Sequence, residues 1–530
     1  MSNGSPTATP LPAGWELAEL AKVARINPPL DCPDPGDEDD VNFVPMRAVE
    51  PEGGGLLRPE IRSYGEVKKG YTAFQCGDVI MAKITPCMEN GKTAVVPELP
   101  GAVCFGSTEF HVLRTESGIS PKWLANFLLQ HEVRRAAQRK MTGGVGQMRV
   151  PASFLEDAVI PVAPSAEQRR ITDAVDELLS DLDAGVTALD RVRKMLAHYR
   201  AAVLKAAVEG SLTEDWRQQH VSTESASALL TGILVTRRKR WEEHQLKRFA
   251  ATGKHPPSNW TLKYKEPVAP DTALLPKLGK GWCWASFDQI GETQGGLQKS
   301  PSRKPVKNHY PYLRVANVHR AHLDLRELHR FELTEQELER LRLYPGDLLI
   351  VEGNGSLSEI GRCAIWAGEI DDCVHQNHII RVRPFSGVIP KYIDLFLNSP
   401  LGQKAIQKVA SSTSGLYTLS VTKIEKLSIP IPPTAEQEAI IEAVEDHLSI
   451  VEHLAADLET QMKTEQSLRQ AILRYSFTGR LAPQDPHDEP ASALLKRIAV
   501  TRDEHAAQKA RANNMSKRPS VRRKAALAKE

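Results

Sequence analysis

The sequence predicts an α+β protein built from two copies of one long unit, each a mixed α/β domain followed by a long helix. The segment "PSAEQRRITDAV" (164–175) recurs as "PTAEQEAIIEAV" (433–444), an offset of 269 residues (433 minus 164). The same offset relates "SPKWLANFLLQ" (120–130) to "IPKYIDLFLNS" (389–399). A repeat of roughly 200 residues is a duplicated domain pair, because solenoid repeats are only about 20–50 residues long.

The composition is that of an ordinary soluble chain. Its 530 residues are 41% hydrophobic and 25% charged, which is typical of globular protein and sufficient for three or four domains. The seven cysteines are odd in number and show no CxxC spacing, which favours a reducing compartment over a disulfide framework. The first residues lack a signal-peptide pattern, and no apolar run approaches about 20 residues. We therefore expect a cytoplasmic protein whose residues 1–10 are disordered.

The net charge of +2 is unevenly distributed. The segments 236–248 ("TRRKRWEEHQLKR") and 517–530 ("KRPSVRRKAALAKE") are strongly basic. Such runs are usually solvated helix faces or tails, and contact with phosphate is the alternative.

Within each copy the pattern changes at the quoted segment. Upstream, short apolar runs alternate with Gly, Pro and Asn clusters, which predicts strands and loops with a few helices. Downstream, Ser165 and Thr434 stand at helix starts, and Gln168 and Gln437 three places later suggest a capping box.

Apolar residues then alternate by four and three along each helix, which predicts a heptad seam. The predicted seam residues are Ile171, Val175, Leu178, Leu182, Leu189, Val192 and Leu196 in the first helix, and Ile440, Val444, Val451, Leu454, Leu458, Leu468 and Ile472 in the second. Gly210 and Gly479 end the two helices, giving each roughly 44 residues and about 65 Å. Each helix can cover the other's seam, but periodicity does not choose between parallel and antiparallel pairing.

Motifs for catalysis are incomplete. "RINPPL" (25–30) resembles the motif that holds the target nitrogen in amino-methyltransferases, but Leu30 replaces the required aromatic and no Gly-rich cofactor loop precedes it. "HQNH" (375–378) offers two histidines without a carboxylate or cysteine partner nearby. We therefore predict no catalytic and no metal-ligating residues.

Two polar, Gly-rich loops occur at matching places in each α/β domain, namely 82–94 with 140–150 and 351–362 with 411–421. Glycine permits close approach of the backbone, and Asn, Gln, Arg and Lys supply the donors and acceptors that read base edges, although single loops of this kind are often ordinary turns. The candidate DNA-binding residues are Lys83, Thr85, Asn90, Lys92, Gln147 and Arg149 in the first domain, and Asn354, Ser356, Arg362, Tyr417 and Thr418 in the second.

The segments "PVAPSAEQRRI" (161–171, where Ala163 departs from the pattern) and "PIPPTAEQEAI" (430–440), with a Gly-Trp pair opening each copy, resemble the specificity subunit of Type I restriction–modification enzymes. The resemblance implies an antiparallel, pseudo-twofold helix pair and two target-recognition domains, each reading half of a split DNA site. It also implies that the helices bind two methyltransferase subunits carrying S-adenosylmethionine. The resemblance further implies that restriction subunits using ATP and Mg²⁺ complete the complex and that this chain carries no cofactor.

On this basis the chain is divided as follows: 1–10, N-terminus; 11–163, target-recognition domain 1; 164–212, helical spacer 1; 213–278, a basic helical and then Pro-rich connection; 279–432, target-recognition domain 2; 433–482, helical spacer 2; 483–530, a basic extension. Two other interpretations remain: a self-contained DNA adenine methyltransferase, and a coiled-coil scaffold that does not bind DNA. Binding of S-adenosylmethionine by the chain alone would favour the first, and failure to shift DNA with a methyltransferase partner would favour the second.

Overall fold

The computed structural model describes residues 11–101, 103–144, 146–220, 224–253, 255–413 and 415–516. The predicted disordered N-terminus and the basic segment 517–530 lie outside the described residues. The chain divides into two compact units. The first unit runs up to Leu189 and includes the chain from Thr460 onward, and the second unit is Asp190–Glu459.

In the residues that the structure describes, the first α/β domain, called head 1, contains ten strands and five short α-helices. The strands are β1 (Glu16–Glu19), β2 (Ala24–Ile26), β3 (Asp40–Val44), β4 (Glu60–Ser63), β5 (Thr72–Gln75), β6 (Val79–Ala82), β7 (Thr93–Val95), β8 (Val103–Gly106), β9 (Phe110–Thr115) and β10 (Val159–Val162). The helices are α1 (Leu20–Val23), α2 (Tyr64–Val67), α3 (Pro121–Leu129), α4 (His131–Arg139) and α5 (Ala152–Asp157). They form sheets of order β2-β9-β6-β7, β4-β3-β8-β5 and β1-β10, antiparallel except for the parallel pair β3 and β8.

Head 1 is followed by the helices α6 (Ser165–Glu209), α7 (Glu214–Gln219) and α8 (Ala226–Ala251). The long helix α6 has 45 residues, close to the predicted length, and ends beside Gly210, whose φ of 80° takes the chain out of the helix.

The second α/β domain, head 2, repeats this arrangement. Its strands are β11 (Cys283–Ser286), β12 (Gly291–Gly295), β13 (His309–Leu313), β14 (His329–Glu332), β15 (Leu348–Val351), β16 (Gly353–Asn354), β17 (Cys363–Ile365), β18 (Val374–His375), β19 (Ile379–Pro384), β20 (Ser411–Thr413), β21 (Leu416–Thr418) and β22 (Ser428–Ile431). Its helices are α9 (Phe287–Ile290), α10 (Glu335–Leu341), α11 (Pro390–Asn398), α12 (Pro400–Val409) and α13 (Val421–Glu425), and α14 (Thr434–Ser476) and α15 (Ala491–Ser516) follow. The sheets have orders β12-β19-β15-β17, β14-β13-β18, β16-β21-β20 and β11-β22.

A buried ion pair shows that the duplication holds at the level of single side chains. Arg114 donates two bonds of 2.7 Å to the carboxylate of Asp78. Arg383 donates two bonds of 2.6 and 2.7 Å to Asp347, and both partners lie 269 residues further along (347 minus 78, 383 minus 114). Each pair fastens the strand that begins after a Gly-Asp turn to the strand beside it.

In the first unit, the beginning of α6 packs against the end of α14. Ile171 and Val175 share a core with Ile472, and Asp183 pairs with Arg469. Two helices that meet start to end in this way are antiparallel.

The second unit shows the complementary half of this packing. Ala207, near the end of α6, shares a core with Ile440 and Val444 at the start of α14. The hydroxyl of Tyr199 lies 2.9 Å from Nδ1 of His447. The antiparallel pairing implied by the resemblance is therefore confirmed within each unit.

The predicted heptad seam is only partly buried. Leu178, Val192, Leu454 and Leu468 are 40–49% exposed, whereas most other predicted seam residues are buried or half-buried. Each long helix has one partner helix, which covers the seam from one side only. In addition, a straight helix of 3.6 residues per turn does not follow a strict seven-residue repeat, so the seam gradually turns away from the partner helix. Among the described residues, these four side chains therefore remain partly uncovered.

The predicted capping boxes are wrong. The side chain of Gln168 accepts a 2.9 Å bond from the backbone N–H of Ser120 and donates to the carbonyl of Ala163. Gln437 makes the equivalent bond of 2.8 Å to the N–H of Ile389. Each glutamine therefore accepts a hydrogen bond from a backbone N–H group at the start of a neighbouring helix, α3 or α11, where N–H groups have no partner within the helix. These bonds join the head to the long helix.

The extension helices α8 and α15 belong to the repeated unit. The N–H of Ala226 donates to the carbonyl of Gly281, and the N–H of Ala491 donates to Gly14, both at 2.9 Å. These two glycines begin the Gly-Trp pairs that open head 2 and head 1. Each extension therefore docks on the head of the other copy. Within the described residues, no helix combines the length and apolar character needed to cross a membrane.

Candidate nucleic-acid interface

The structure brings the two Gly-rich loops of head 1 together. Ile84 from the first loop and Thr142 from the second each form an antiparallel bridge with Arg149. The N–H of Thr85 donates to Met148 at 3.0 Å, which extends the pairing. The result is a small three-stranded ladder with Arg149 at its centre.

Head 2 contains the same ladder, formed by β16, β21 and β20. Thr418 on the central strand pairs with Gly353 on one side and Ser411 on the other. These three residues lie 269 places after Arg149, Ile84 and Thr142 (418 minus 149, 353 minus 84, 411 minus 142). The predicted loops therefore meet in both heads, at equivalent positions.

The side chain at the centre of the first ladder is held in one orientation. Nε and Nη2 of Arg149 donate to the two carboxylate oxygens of Glu109 at 2.9 and 2.8 Å, and Nη1 donates to the carbonyl of Gln147. The Glu109 bonds raise the pKa of Arg149, and the same bonds lower the pKa of Glu109. Because the Arg149 side chain is still 41% exposed, its guanidinium group lies at the surface in a fixed orientation.

The other candidate residues of the loops differ in accessibility. Asn90, Gln147 and Ser356 are exposed, whereas Lys83, Thr85, Asn354, Tyr417 and Thr418 are half-buried. Thr85 Oγ1 donates to Glu89 at 2.5 Å, and Asn354 Oδ1 accepts from the N–H of Ser356 at 2.9 Å. The exposed amides and hydroxyls can reach a ligand directly, and the bonded groups fix the loops that carry them.

Lys92 and Arg362 make a contact that the sequence did not predict. Lys92 Nζ donates to the carbonyl of Met46 at 3.0 Å, and Arg362 Nη2 donates to Val315 at 2.8 Å. Met46 and Val315 each begin a 3₁₀ turn, at positions 269 residues apart (315 minus 46). Both basic side chains therefore brace a turn behind the ladder.

Sequence reasoning missed Glu109, which orients Arg149. Glu109 directly precedes the buried strand β9, and its counterpart 269 residues later is His378, which lies 3.5 Å from Glu352. The signal in the sequence was a polar residue at the equivalent position, shortly before a buried strand, in both copies.

The motif that suggested a methyltransferase is engaged in internal bonds. Asn27 Oδ1 accepts from the N–H of Val112 at 3.0 Å, and Arg25 pairs with Asp31 through two bonds. His375 of "HQNH" is buried, and burial lowers its pKa to about 4. In the described parts of the chain, no three or more His, Cys, Asp or Glu side chains are grouped so that they could hold a metal ion.

Comparisons with known proteins agree with this architecture. Residues 280–461 match the family model described as Type I restriction modification DNA specificity domain. The chain is 29% identical over 494 residues to the Type I restriction enzyme EcoEI specificity subunit of Escherichia coli, covering 87% of this chain and 82% of that protein. It is 27% identical over 531 residues to the EcoKI specificity subunit of Escherichia coli K12, covering 95% and 99%.

A solved structure supports the fold. The structure concerns complex assembly and conformational transition of the type I R-M system, and one of its chains superposes with a TM-score of 0.60 at 17% identity. The superposition covers 89% of this chain and 99% of that one. The duplicated heads, the antiparallel long helices and the near full-length relatives agree: over most of its length the chain is similar to Type I restriction enzyme specificity subunits.

Proposed function

We propose that this chain is the DNA sequence-recognition subunit of a Type I restriction–modification complex, in which each head reads one half of a bipartite site. The observation that carries the proposal is the ladder that occurs once in each head with different side chains at equivalent positions. Arg149 and Met148 in head 1 are replaced by Thr418 and Tyr417 in head 2. The same backbone ladder carrying different hydrogen-bond donors and acceptors is suited to reading two different half-sites.

The chemistry of head 1 suits a guanine in the major groove. A guanidinium fork can donate two parallel hydrogen bonds to the O6 and N7 acceptors of guanine. Glu109 engages Nε and one N–H of Nη2, so the remaining N–H groups of Nη1 and Nη2 would face the base. Because Glu109 keeps Arg149 in one orientation, less side-chain freedom is lost on binding. Lys83, on the adjoining strand, is the candidate for a phosphate contact, which positions DNA without reading sequence.

Head 2 would read its half-site mainly with neutral groups. The exposed Ser356 and the half-buried Asn354, Tyr417 and Thr418 offer hydroxyl and amide groups. Asn pairs well with adenine, and Thr contacts either a polar base edge or the methyl group of thymine. In this proposal Arg362, like Lys92, acts by bracing the ladder.

We further propose that the long helices bind two methyltransferase subunits, one for each repeated half. Large apolar side chains on these helices are exposed in the second unit, with Met195 at 67% and Ile450 at 60%. A contiguous exposed apolar patch marks an interaction surface, and we place that contact where these side chains lie on the two helices. The methyltransferase subunits would carry S-adenosylmethionine, and associated restriction subunits would use ATP and Mg²⁺.

Mapping methylated adenines in cells that express this chain with its partner subunits tests the proposal. We expect one methylated sequence with two specified halves and an unspecified spacer. Methylation at a continuous site, or methylation that does not depend on this chain, would contradict the proposal. Binding of S-adenosylmethionine by the isolated chain would instead support the methyltransferase alternative.

A further inference from the structure

The loop after the second strand of each head has opposite charge in the two copies. The β2–β3 loop of head 1 is 27–39 and the β12–β13 loop of head 2 is 296–308, so the two loops lie 269 positions apart (296 minus 27) and are equally long. The first reads "NPPLDCPDPGDED", with five carboxylates and no Lys or Arg. The second reads "GLQKSPSRKPVKN", with four Lys or Arg side chains and no carboxylate. Equivalent places in the two heads therefore attract ions of opposite sign.

Both ends of the β12–β13 loop are fixed to the chain segment that ends at His378. The N–H of Leu297 donates to the carbonyl of His375 at 3.0 Å, and β13, which follows the loop, pairs with β18 in the same segment. The N–H of Glu352 donates to the carbonyl of His378 at 2.9 Å, and the next residue, Gly353, belongs to the ladder. The β12–β13 loop is therefore anchored beside the ladder of head 2.

The lysines of this loop have exposed side chains. They are Lys299, Lys304 and Lys307. Among the residues that the structure describes, none of the three forms an ion pair, whereas Nη2 of Arg303 lies 2.9 Å from Glu337. Glu332 accepts bonds of 2.7–3.3 Å from three backbone N–H groups at the end of the loop. These two carboxylates are thereby engaged, and three ammonium groups remain available to an external anion.

The carboxylates of the β2–β3 loop bond to basic residues of head 1. Asp31 accepts bonds of 3.0 and 2.7 Å from Arg25 and lies 2.9 Å from Arg114. Asp37 accepts two bonds of 2.7 Å from Lys68. The loop supplies no Lys or Arg of its own, and its other carboxylates would repel a phosphate group. Head 1 therefore cannot bind phosphate at this place.

The two heads also place their cations differently relative to the ladder. Arg149 lies at the centre of the ladder in head 1, and the neutral Thr418 holds this position in head 2. In head 2 the cations lie in the adjoining loop, and the exposed Arg330, whose Nη1 donates to the carbonyl of His309 at 3.1 Å, extends the basic surface. Duplex DNA carries about one negative charge per 1.7 Å of its axis, so DNA that contacts the ladder would bring phosphates to this surface.

We propose that the β12–β13 loop binds backbone phosphates of the DNA beside the half-site of head 2, through Lys299, Lys304 and Lys307. The ammonium group of lysine is a compact charge, which suits contacts that position DNA without reading its sequence. Head 1 makes no equivalent contact, so the two halves of the site are held by different numbers of phosphate bonds. This proposal rests on the proposed DNA recognition by head 2.

Titration of labelled cognate and random duplexes with the assembled complex at several salt concentrations tests the proposal. The variant combines Lys299→Gln, Lys304→Gln and Lys307→Gln. Each lost phosphate contact lowers the salt slope by about 0.9, so the three together should lower it by about 2.7. Between about 50 and 200 mM salt, the unaltered complex should therefore lose about 40-fold more affinity than the variant. Both duplexes should show this difference, because phosphates carry no sequence information.

The matched control combines Lys239→Gln, Lys247→Gln and Lys263→Gln. It removes the same charge from exposed lysines of α8 and of the chain that follows α8. The control should leave the salt slope unchanged. An equal reduction of the slope in both triple variants would show an effect of net charge alone and would overturn the proposal, as would an unchanged slope in the loop variant.

Ethylation of single phosphates in the cognate duplex provides an independent measurement. Phosphates whose ethylation weakens binding of the unaltered complex, but not binding of the loop variant, should lie beside the half-site of head 2 only. That half-site is the one that stays unchanged when head 1 is exchanged. If such phosphates lay beside both half-sites or beside neither, the loop would not make the proposed contacts.

Adenine mapping separates this proposal from the proposed function. The loop variant should methylate the same bipartite sequence as the unaltered complex. A bipartite methylated sequence together with an unchanged salt slope in the loop variant would overturn this proposal alone. Methylation of a continuous site would contradict both.

Discussion

Arg149 and Glu109 illustrate how single residues would act in recognition, because their ion pair fixes a donor fork at the surface of head 1. A bidentate base contact contributes about 1–3 kcal/mol to discrimination. We therefore expect Arg149→Ala to weaken binding of cognate DNA roughly tenfold or more while changing binding of random DNA little. Titration of labelled cognate and random duplexes with the assembled complex measures both effects.

Arg135→Ala provides the control for this measurement, because Arg135 is an exposed arginine of head 1 that lies outside the ladder. It should leave the preference for cognate DNA intact. An Arg149→Ala complex that binds both duplexes as before would show that Arg149 does not read a base.

Asp394 should make the chain less stable as pH rises. Burial raises the pKa of Asp394 to about 6 in the folded protein, above its ordinary value of 3.8, although Lys391 and Asn398 oppose the shift. The folded state therefore loses stability between about pH 4 and 6, and the full penalty is present above pH 6.

Asp394→Asn should remove this penalty and stabilise the chain by about 1–3 kcal/mol at pH 7.5, with a smaller gain at pH 4.5. Urea unfolding of both proteins at the two pH values measures the difference. A gain of equal size at both pH values would show that ionisation of Asp394 is not its cause. Asp371→Asn, which changes an exposed carboxylate of the same head, should change stability little at either pH.

At the scale of elements, the two long helices would determine the spacing between half-sites. Inserting one heptad after Leu189 and another after Leu458 adds about 10 Å to each helix while keeping the helical register. This length corresponds to roughly three base pairs of B-DNA. We expect adenine mapping to show unchanged half-sites with a longer spacer.

Inserting the heptad into only one of the two helices is the matched control, because this variant puts the two antiparallel helices out of register. That variant should lose stability and methylation. If the doubly extended protein methylated the original spacing at full efficiency, the helices would not determine the distance.

The long helices were predictable because a heptad pattern and a terminal glycine are both local signals. The expected length of roughly 44 residues compares with 45 and 43 in the structure. The sequence could not show that the capping boxes do not form, because Gln168 instead bonds to Ser120, which lies 48 residues away in the sequence. A short motif does not reveal whether its polar group serves its own helix or a neighbouring one.

The candidate interface was also only partly predictable. Composition located the Gly-rich loops, and the repeat showed that they occur in pairs. The ladder itself depends on a register between Ile84 and Arg149, which comes from the packing of the whole head. For the same reason, the bonds that hold Lys92 and Arg362 against backbone carbonyls were not visible in the sequence.

At the scale of the whole molecule, the duplication predicts that the heads are exchangeable. Replacing Leu11–Pro161 with the first head of another family member should change one half of the methylated sequence and leave the other half and the spacer unchanged. The replacement should retain glycines equivalent to Gly14 and Gly118, because α15 packs against both. A change in both halves, seen by adenine mapping, would contradict independent reading by the heads.

The division of the chain into units also has a consequence for its synthesis on the ribosome. The second unit is continuous, whereas the first unit lacks its last segment until residues from Thr460 onward have been made. Phe477 from that segment lies 4.2 Å from Trp123, measured between ring centroids. At about 5–20 residues per second, the 270 intervening residues (459 minus 189) take roughly 14–54 s to translate. During that interval the nascent head 1 exposes an apolar surface that chaperones can bind, so the domain made first is completed last.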